Sequence, residues 1–216
     1  MKLIKNLFGI AAIAVLTLST TTVKAQDFGA DVVSSYVWRG TQFGEGPHIQ
    51  PYISTGKGGF EIGLWGSFPT TAAGGGNELD AYLSYDFGPL ALTVTNYTFP
   101  DGDGTYSSGG FFEGDLEISA STDIGGLSLM AGYFPDLETL YVEAGFGLGD
   151  VDFAIGFGSD SADAFYVGAG ESAICNVSFG YSKEIKITDD YSLPLFSSFI
   201  FNPKSEAAFI VFGASF

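Results

Sequence analysis

The amino-acid sequence predicts an all-β fold: an antiparallel transmembrane β-barrel of about twelve strands, preceded by a cleaved signal peptide. Three observations carry this expectation. Apolar and polar residues alternate with period two through much of the 216-residue chain, the pattern of a sheet with one greasy and one wet face. Beyond the amino terminus no segment offers the ~18 uninterrupted apolar residues of a membrane helix, although 46% of the chain is hydrophobic. Short turns alternate with longer Gly- and Ser-rich links, the spacing of strands in outer-membrane barrels.

Taken in order, Lys2 and Lys5 precede an apolar run from Leu7 to Leu18, and polar residues then lead to Val23-Lys24-Ala25. That is the layout of a secretory leader with cleavage before Gln26, giving residues 1–25 as leader and 26–216 as barrel. The alternating runs place strands at 28–39, 48–55, 60–67, 78–87, 90–99, 111–122, 127–134, 140–148, 151–158, 173–184, 191–201 and 207–216. Glu78 to Phe87 is the clearest case, with every odd position apolar or aromatic. Gly56–Gly59, Gly88-Pro89, Asp123–Gly126, Gly149-Asp150 and the turn at Thr188–Asp190 form one, short-turned end. Links at 69–77, 100–110 and 159–172 form the other. Leu83 and Leu116 are expected on the outer face, and aromatics at strand ends, among them Tyr36, Trp38, Tyr85, Phe87, Phe112 and Tyr133, are expected as interfacial belts. A soluble β-sandwich also alternates, but it does not account for those belts or for the final strand ending on Phe216. Such an ending resembles the carboxy-terminal signal by which barrel-assembly machinery takes up outer-membrane barrels, and Phe216 is expected to serve as that signal.

Composition narrows the function classes. Twenty-five acidic residues against 8 basic ones give a net charge of −17, which repels nucleic acid. The 31 glycines argue against a helical protein. A single cysteine, Cys175, excludes an intramolecular disulfide and a thiolate metal cluster. Its place beside Val177 and Phe179 predicts an outward-facing thiol.

The segments Ser34-Ser35-Tyr36-Val37-Trp38-Arg39-Gly40-Thr41-Gln42, Pro47-His48-Ile49-Gln50-Pro51 and Gly59 to Ser67 resemble the TorF-like porin family of bacterial proteins. The resemblance implies an outer-membrane barrel with a channel role. It supplies neither a substrate nor catalytic residues.

The chemistry-bearing residues read as a polar, mostly acidic inner face. Asp80, Asp115, Glu117 and Glu143 fall in the outer half of strands four, six and eight on one arc of the wall, with Arg39 at similar height on strand one across the barrel. These five are the expected pore lining for passive passage of small polar solutes, with a preference for cations. Glycines on the same face, including Gly63, Gly132 and Gly156, either thin the wall or seat neighbouring rings such as Tyr141. Two other classes stand beside the channel: a non-conducting structural or surface-binding barrel, and a lipid-modifying barrel enzyme built on His48 with a serine. His48, the single histidine, has no marked nucleophile partner and no second nitrogen or sulfur ligand, so neither catalysis nor metal binding is expected. Asp101-Gly102-Asp103-Gly104 opens like a calcium loop, but Thr105 takes the third ligand position and the closing Glu is missing. No cofactor is implied. The expected setting is the outer membrane of a Gram-negative-type bacterium, with lipid and assembly machinery as partners.

Overall fold

The computed structural model describes residues 24–71, 73–106, 110–159, 166 and 171–216. The predicted leader lies outside these residues except for Lys24 and Ala25, whose backbone opens the first strand. Among the described residues fourteen strands run in chain order: β1 (Lys24–Val33), β2 (Tyr36–Trp38), β3 (Thr41–Gly44), β4 (His48–Lys57), β5 (Phe60–Pro69), β6 (Glu78–Asp86), β7 (Ala91–Tyr97), β8 (Asp115–Ile124), β9 (Leu127–Phe134), β10 (Thr139–Leu148), β11 (Val151–Gly158), β12 (Ala173–Lys186), β13 (Ser192–Asn202) and β14 (Ala207–Ser215). Twelve of them close into an antiparallel barrel, β4 to β14 in sequence with β1 joining β14 back to β4, while β2 and β3 form a separate two-stranded ribbon.

Closure satisfies backbone groups that an open sheet would leave at its edges. The seam is short: β1 meets β14 through Asp31 to Val33 against Gly213 to Ser215, and Phe216 extends it by exchanging two backbone bonds with Ala30, at 3.0 and 3.1 Å. Short turns gather at one end. At the β8–β9 turn, Gly125 and Gly126 take φ of 61° and 88°, the left-handed pair that a tight hairpin needs and that glycine adopts without steric cost.

Cross-strand register sorts the two faces. Phe28 pairs with Ile53 and Val32 with Ile49, and all four are exposed, Phe28 by 74%. Along the arc β6–β10 the inward set includes Asp80, Glu117 and Glu143. Several glycines on this face are seats: a Cβ at Gly63 would lie 2.5 Å from the Tyr82 hydroxyl, and one at Gly132 would lie 2.5 Å from the Glu117 carboxylate. Tyr141 covers Gly156 and Phe196 covers Gly213 in the same way. The glycines thus hold the bulk of their neighbours and do not simply thin the wall.

Three expectations are corrected. Strand one ends at Val33 and not at residue 39, because Ser34 and Ser35 turn the chain into the barrel. Ser34 keeps contact with β14, its N–H donating to the Phe212 carbonyl at 2.8 Å while its Oγ accepts from the Phe212 N–H at 2.9 Å. Tyr36 and Trp38 therefore leave the outer face. Strand six begins at Asp115, since Phe111–Glu113 form a 3-10 turn. Asn96 Nδ2 donates to the Phe111 carbonyl at 2.7 Å, and the turn covers an outward patch in which Leu116 is only 2% exposed. Finally, a register shift between Gly156 and Phe157 against β12 is a bulge that turns Cys175 inward, where it is fully buried.

If the seam sets closure, deleting Phe216 removes its two bonds to Ala30, and the fraction of protein in the compact, heat-modifiable form should fall on unheated gels. An unchanged fraction would show that the terminal residue does not contribute to closure.

Candidate functional site

The interior is organised around the β2–β3 ribbon, a hairpin folded into the lumen from the long-loop end. Its turn is Arg39-Gly40, and both residues have positive φ, 49° and 81°. A two-residue turn of this hand suits a hairpin's twist, but arginine is an unusual occupant of its first position. Contacts hold it there. Asn202 Nδ2 donates to the Gly40 carbonyl at 3.1 Å, and the Gly40 Cα rests so close to the Cys175 carbonyl that no Cβ would fit.

Arg39 is the hub. Its guanidinium grips Glu117 through both nitrogens, Nη1 to Oε2 at 2.5 Å and Nη2 to Oε1 at 3.0 Å, and Nη1 also donates to the Tyr166 hydroxyl at 2.5 Å. The rings of Trp38 and Tyr141 flank it, 4.1 and 4.5 Å from the guanidinium carbon. The two side chains are 7% and 2% exposed. A bidentate, ring-sandwiched geometry is one in which burial of an ion pair can be offset. Arg39 thus lies on the inward hairpin and not on the wall of strand one, and it reaches the acidic arc directly instead of facing it across open water.

The base of the hairpin has its own tether. Tyr36 donates to Glu78 Oε2 at 2.7 Å, and its ring packs on Phe43, His48 and Trp65 at centroid distances of 5.6 to 6.1 Å. Asp80, two residues along the same inward face, accepts the Thr98 N–H at 3.3 Å. Glu78 and Asp80 line a cavity of about 420 Å³ together with Tyr36, Trp65, Tyr82 and Tyr97. Asp115 lies at the long-loop end and lines an adjoining cavity of about 290 Å³, which shares Trp38, Glu78 and Tyr97 with the first and is closed by Phe134. Glu143 is mid-strand on β10. It accepts from Tyr141 and, at 2.9 Å, from Asn176 Nδ2.

The structure therefore assembles four of the five expected lining residues, Asp80, Asp115, Glu117 and Glu143, on one arc, and brings Arg39 to them. His48 is fully buried, with its ring nitrogens 3.1 and 2.9 Å from the carbonyls of Gly46 and Gly75, so it ties the β5–β6 link to β4. Among the described residues no group of three His, Cys, Asp or Glu side chains is placed to hold a metal ion. Sequence reasoning missed Tyr166 and Asn176. It also missed the hairpin, whose signal was present: alternating Tyr36-Val37-Trp38 and Thr41-Gln42-Phe43 separated by two residues ending in glycine.

A closed, acidic-lined barrel with an inward hairpin defines the class of protein. Residues 19–178 match the family described as Bacterial protein of unknown function (Gcw_chp), and the chain belongs to that family. No curated protein matches it.

Because Glu117 is buried against Arg39, truncating the arginine strands a carboxylate. Arg39→Ala should cost about 3–5 kcal/mol, and replacing both partners by methionine should recover most of that loss. Urea unfolding in lipid vesicles checks it. A single-variant cost below about 1 kcal/mol would mean the pair does not hold the hairpin.

Proposed function

We propose that this protein is an outer-membrane barrel of a Gram-negative-type bacterium that passes small polar solutes through its lumen and prefers cations. The observation that carries the reading is a closed barrel with an apolar outer face and a carboxylate-lined interior. A bilayer accepts only spanning structures whose backbone groups are all paired, and a closed barrel is one of the two. The secretory leader expected at 1–25 directs the chain out of the cytoplasm, and the resemblance to TorF-like porins points the same way. Lipid and the barrel-assembly machinery are the partners this reading requires, the latter through the terminal strand and Phe216. It assigns no cofactor and no catalytic residue, and His48 serves as a structural tie.

Charge arrangement supports the cation preference. Glu117 is matched by Arg39, while among the described residues Glu78, Asp80 and Glu143 form no ion pair with arginine or lysine. A cation about 4 Å from one carboxylate gains roughly 1 kcal/mol in bulk-like water and about 4 at an effective dielectric of 20. Salt screens this, over about 10 Å at 0.1 M and about 3 Å at 1 M. The hairpin narrows the outer half of the lumen, and that single feature favours a second reading, a barrel closed at rest that binds solutes without conducting.

The zero-current potential across a planar bilayer under a potassium chloride gradient separates these. The channel reading predicts a cation-selective potential that shrinks at high salt and is reduced by Asp80→Asn with Glu143→Gln. Anion selectivity, or a potential untouched by the double change, would contradict the assigned lining. Conductance that arises only after Arg39→Gln with Glu117→Gln would establish the closed barrel instead.

A further inference from the structure

The hairpin does not fill the lumen. On its β6–β7 side the cavity of about 420 Å³, which reaches down to mid-strand Tyr82 and Thr95, adjoins the cavity of about 290 Å³ at the long-loop end. Three side chains border both: Trp38 from the hairpin, Glu78 from β6 and Tyr97 from β7. The two rings are in contact, with centroids 5.4 Å apart. Trp38 is held by the Arg39 guanidinium over its ring, and Glu78 by the Tyr36 hydroxyl at 2.7 Å. A third cavity, of about 310 Å³ at the hairpin tip, shares Val37, Trp38, Ser198 and Ile200 with the first. Among the described residues it shares only Trp38 with the one at the long-loop end. It is therefore a side chamber of the inner lumen, and the two cavities that meet on opposite sides of the hairpin do so at Trp38, Glu78 and Tyr97.

Charge at this crossing has one sign. Asp31 and Asp80 border the inner cavity, Asp115 the outer one and Glu78 both, while among the described residues no lysine or arginine borders either. Arg39 borders the hairpin-tip cavity instead and is matched by Glu117. We propose that solutes pass the hairpin between Glu78 and the rings of Trp38 and Tyr97, and that these three side chains select what passes: small monovalent cations, with bulky quaternary ammonium ions excluded. Width and charge at the narrowest point decide selectivity in a pore, and ring faces attract cations as a carboxylate does. Because the rings touch in the folded chain, the crossing opens when Trp38 and Tyr97 part, with the Arg39–Glu117 pair intact. This deepens the proposed passage of cations by naming its specificity-determining residues, and it rests on that passage.

Single-channel recording of the full barrel in a planar bilayer, in potassium chloride and then in tetraethylammonium chloride, tests it. Tyr97→Ala widens the crossing from the wall side and leaves Arg39, Glu117 and Tyr36 in place. It should raise the potassium conductance roughly twofold and admit tetraethylammonium, which wild type excludes. Met130→Ala, which enlarges the hairpin-tip cavity, should do neither, and heat-modifiability confirms that both variants fold. The isosteric Glu78→Gln should lower the potassium-to-chloride permeability ratio more than Asp115→Asn does, and it alone decides if Tyr97→Ala does not fold. In a barrel that conducts, an unchanged Tyr97→Ala, an equal response to Met130→Ala, or a Glu78→Gln effect no larger than that of Asp115→Asn overturns the crossing and leaves the channel. A native barrel that is silent but conducts after Tyr97→Ala keeps the crossing as the point of closure and removes native passage. Silence of both forms, or current only after Arg39→Gln with Glu117→Gln, overturns the crossing.

Discussion

Taking an arginine out of water is costly, and the interior of this barrel is arranged so that the cost is met at one point. Arg39 reaches Glu117 with both nitrogens, lies between the rings of Trp38 and Tyr141, and bonds to Tyr166. Each of those partners comes from a different part of the chain: β8, the hairpin itself, β10 and the β11–β12 link. The pair therefore does more than join two charges. It fixes a two-stranded ribbon, which alone would be marginal in water, across a space that β-strands do not otherwise fill.

The wall is shaped to receive it. Gly132 leaves room for the Glu117 carboxylate, Gly156 for Tyr141, and the bulge at Cys175 brings both Cys175 and Asn176 inside on consecutive positions. Glycine is a poor strand former, yet here each omitted side chain is replaced by a neighbour's ring or carboxylate. The outer half of the lumen becomes a layer of aromatic rings around the Arg39–Glu117 pair, with cavities beside it. Below it, Gly145, Gly147 and Ser128 on β9 and β10 leave the inner half lined with small groups.

How much of this could be read in advance follows from which constraints are local. Glu78 to Asp86 and Val151 to Gly158 were predicted nearly to the residue, because one-sided burial imposes period two and the flanking Gly-containing turns punctuate it. The acidic arc followed from the same parity. Residues 34–44 were not legible in this way: Tyr36 and Trp38 continue the alternation of β1, and alternation cannot distinguish an aromatic facing outward from one facing a hairpin's partner inside a barrel. Cys175 failed for a related reason, since a bulge inverts parity without changing composition. Leu116 kept its outward parity but is covered by a turn whose approach depends on Asn96, a contact between residues whose pairing only the folded chain defines.

Both tryptophans, Trp38 on the hairpin and Trp65 on β5, line the lumen beside Tyr36. Emission quenching by brominated lipid therefore tests the inward hairpin most directly. In vesicles of brominated phospholipid the native protein should keep nearly all its indole emission, whereas an Ile118→Trp variant, on the outer face, should lose most of the added signal. Native emission quenched as deeply as that of the added indole would place residues 34–39 on the outer wall and contradict the account.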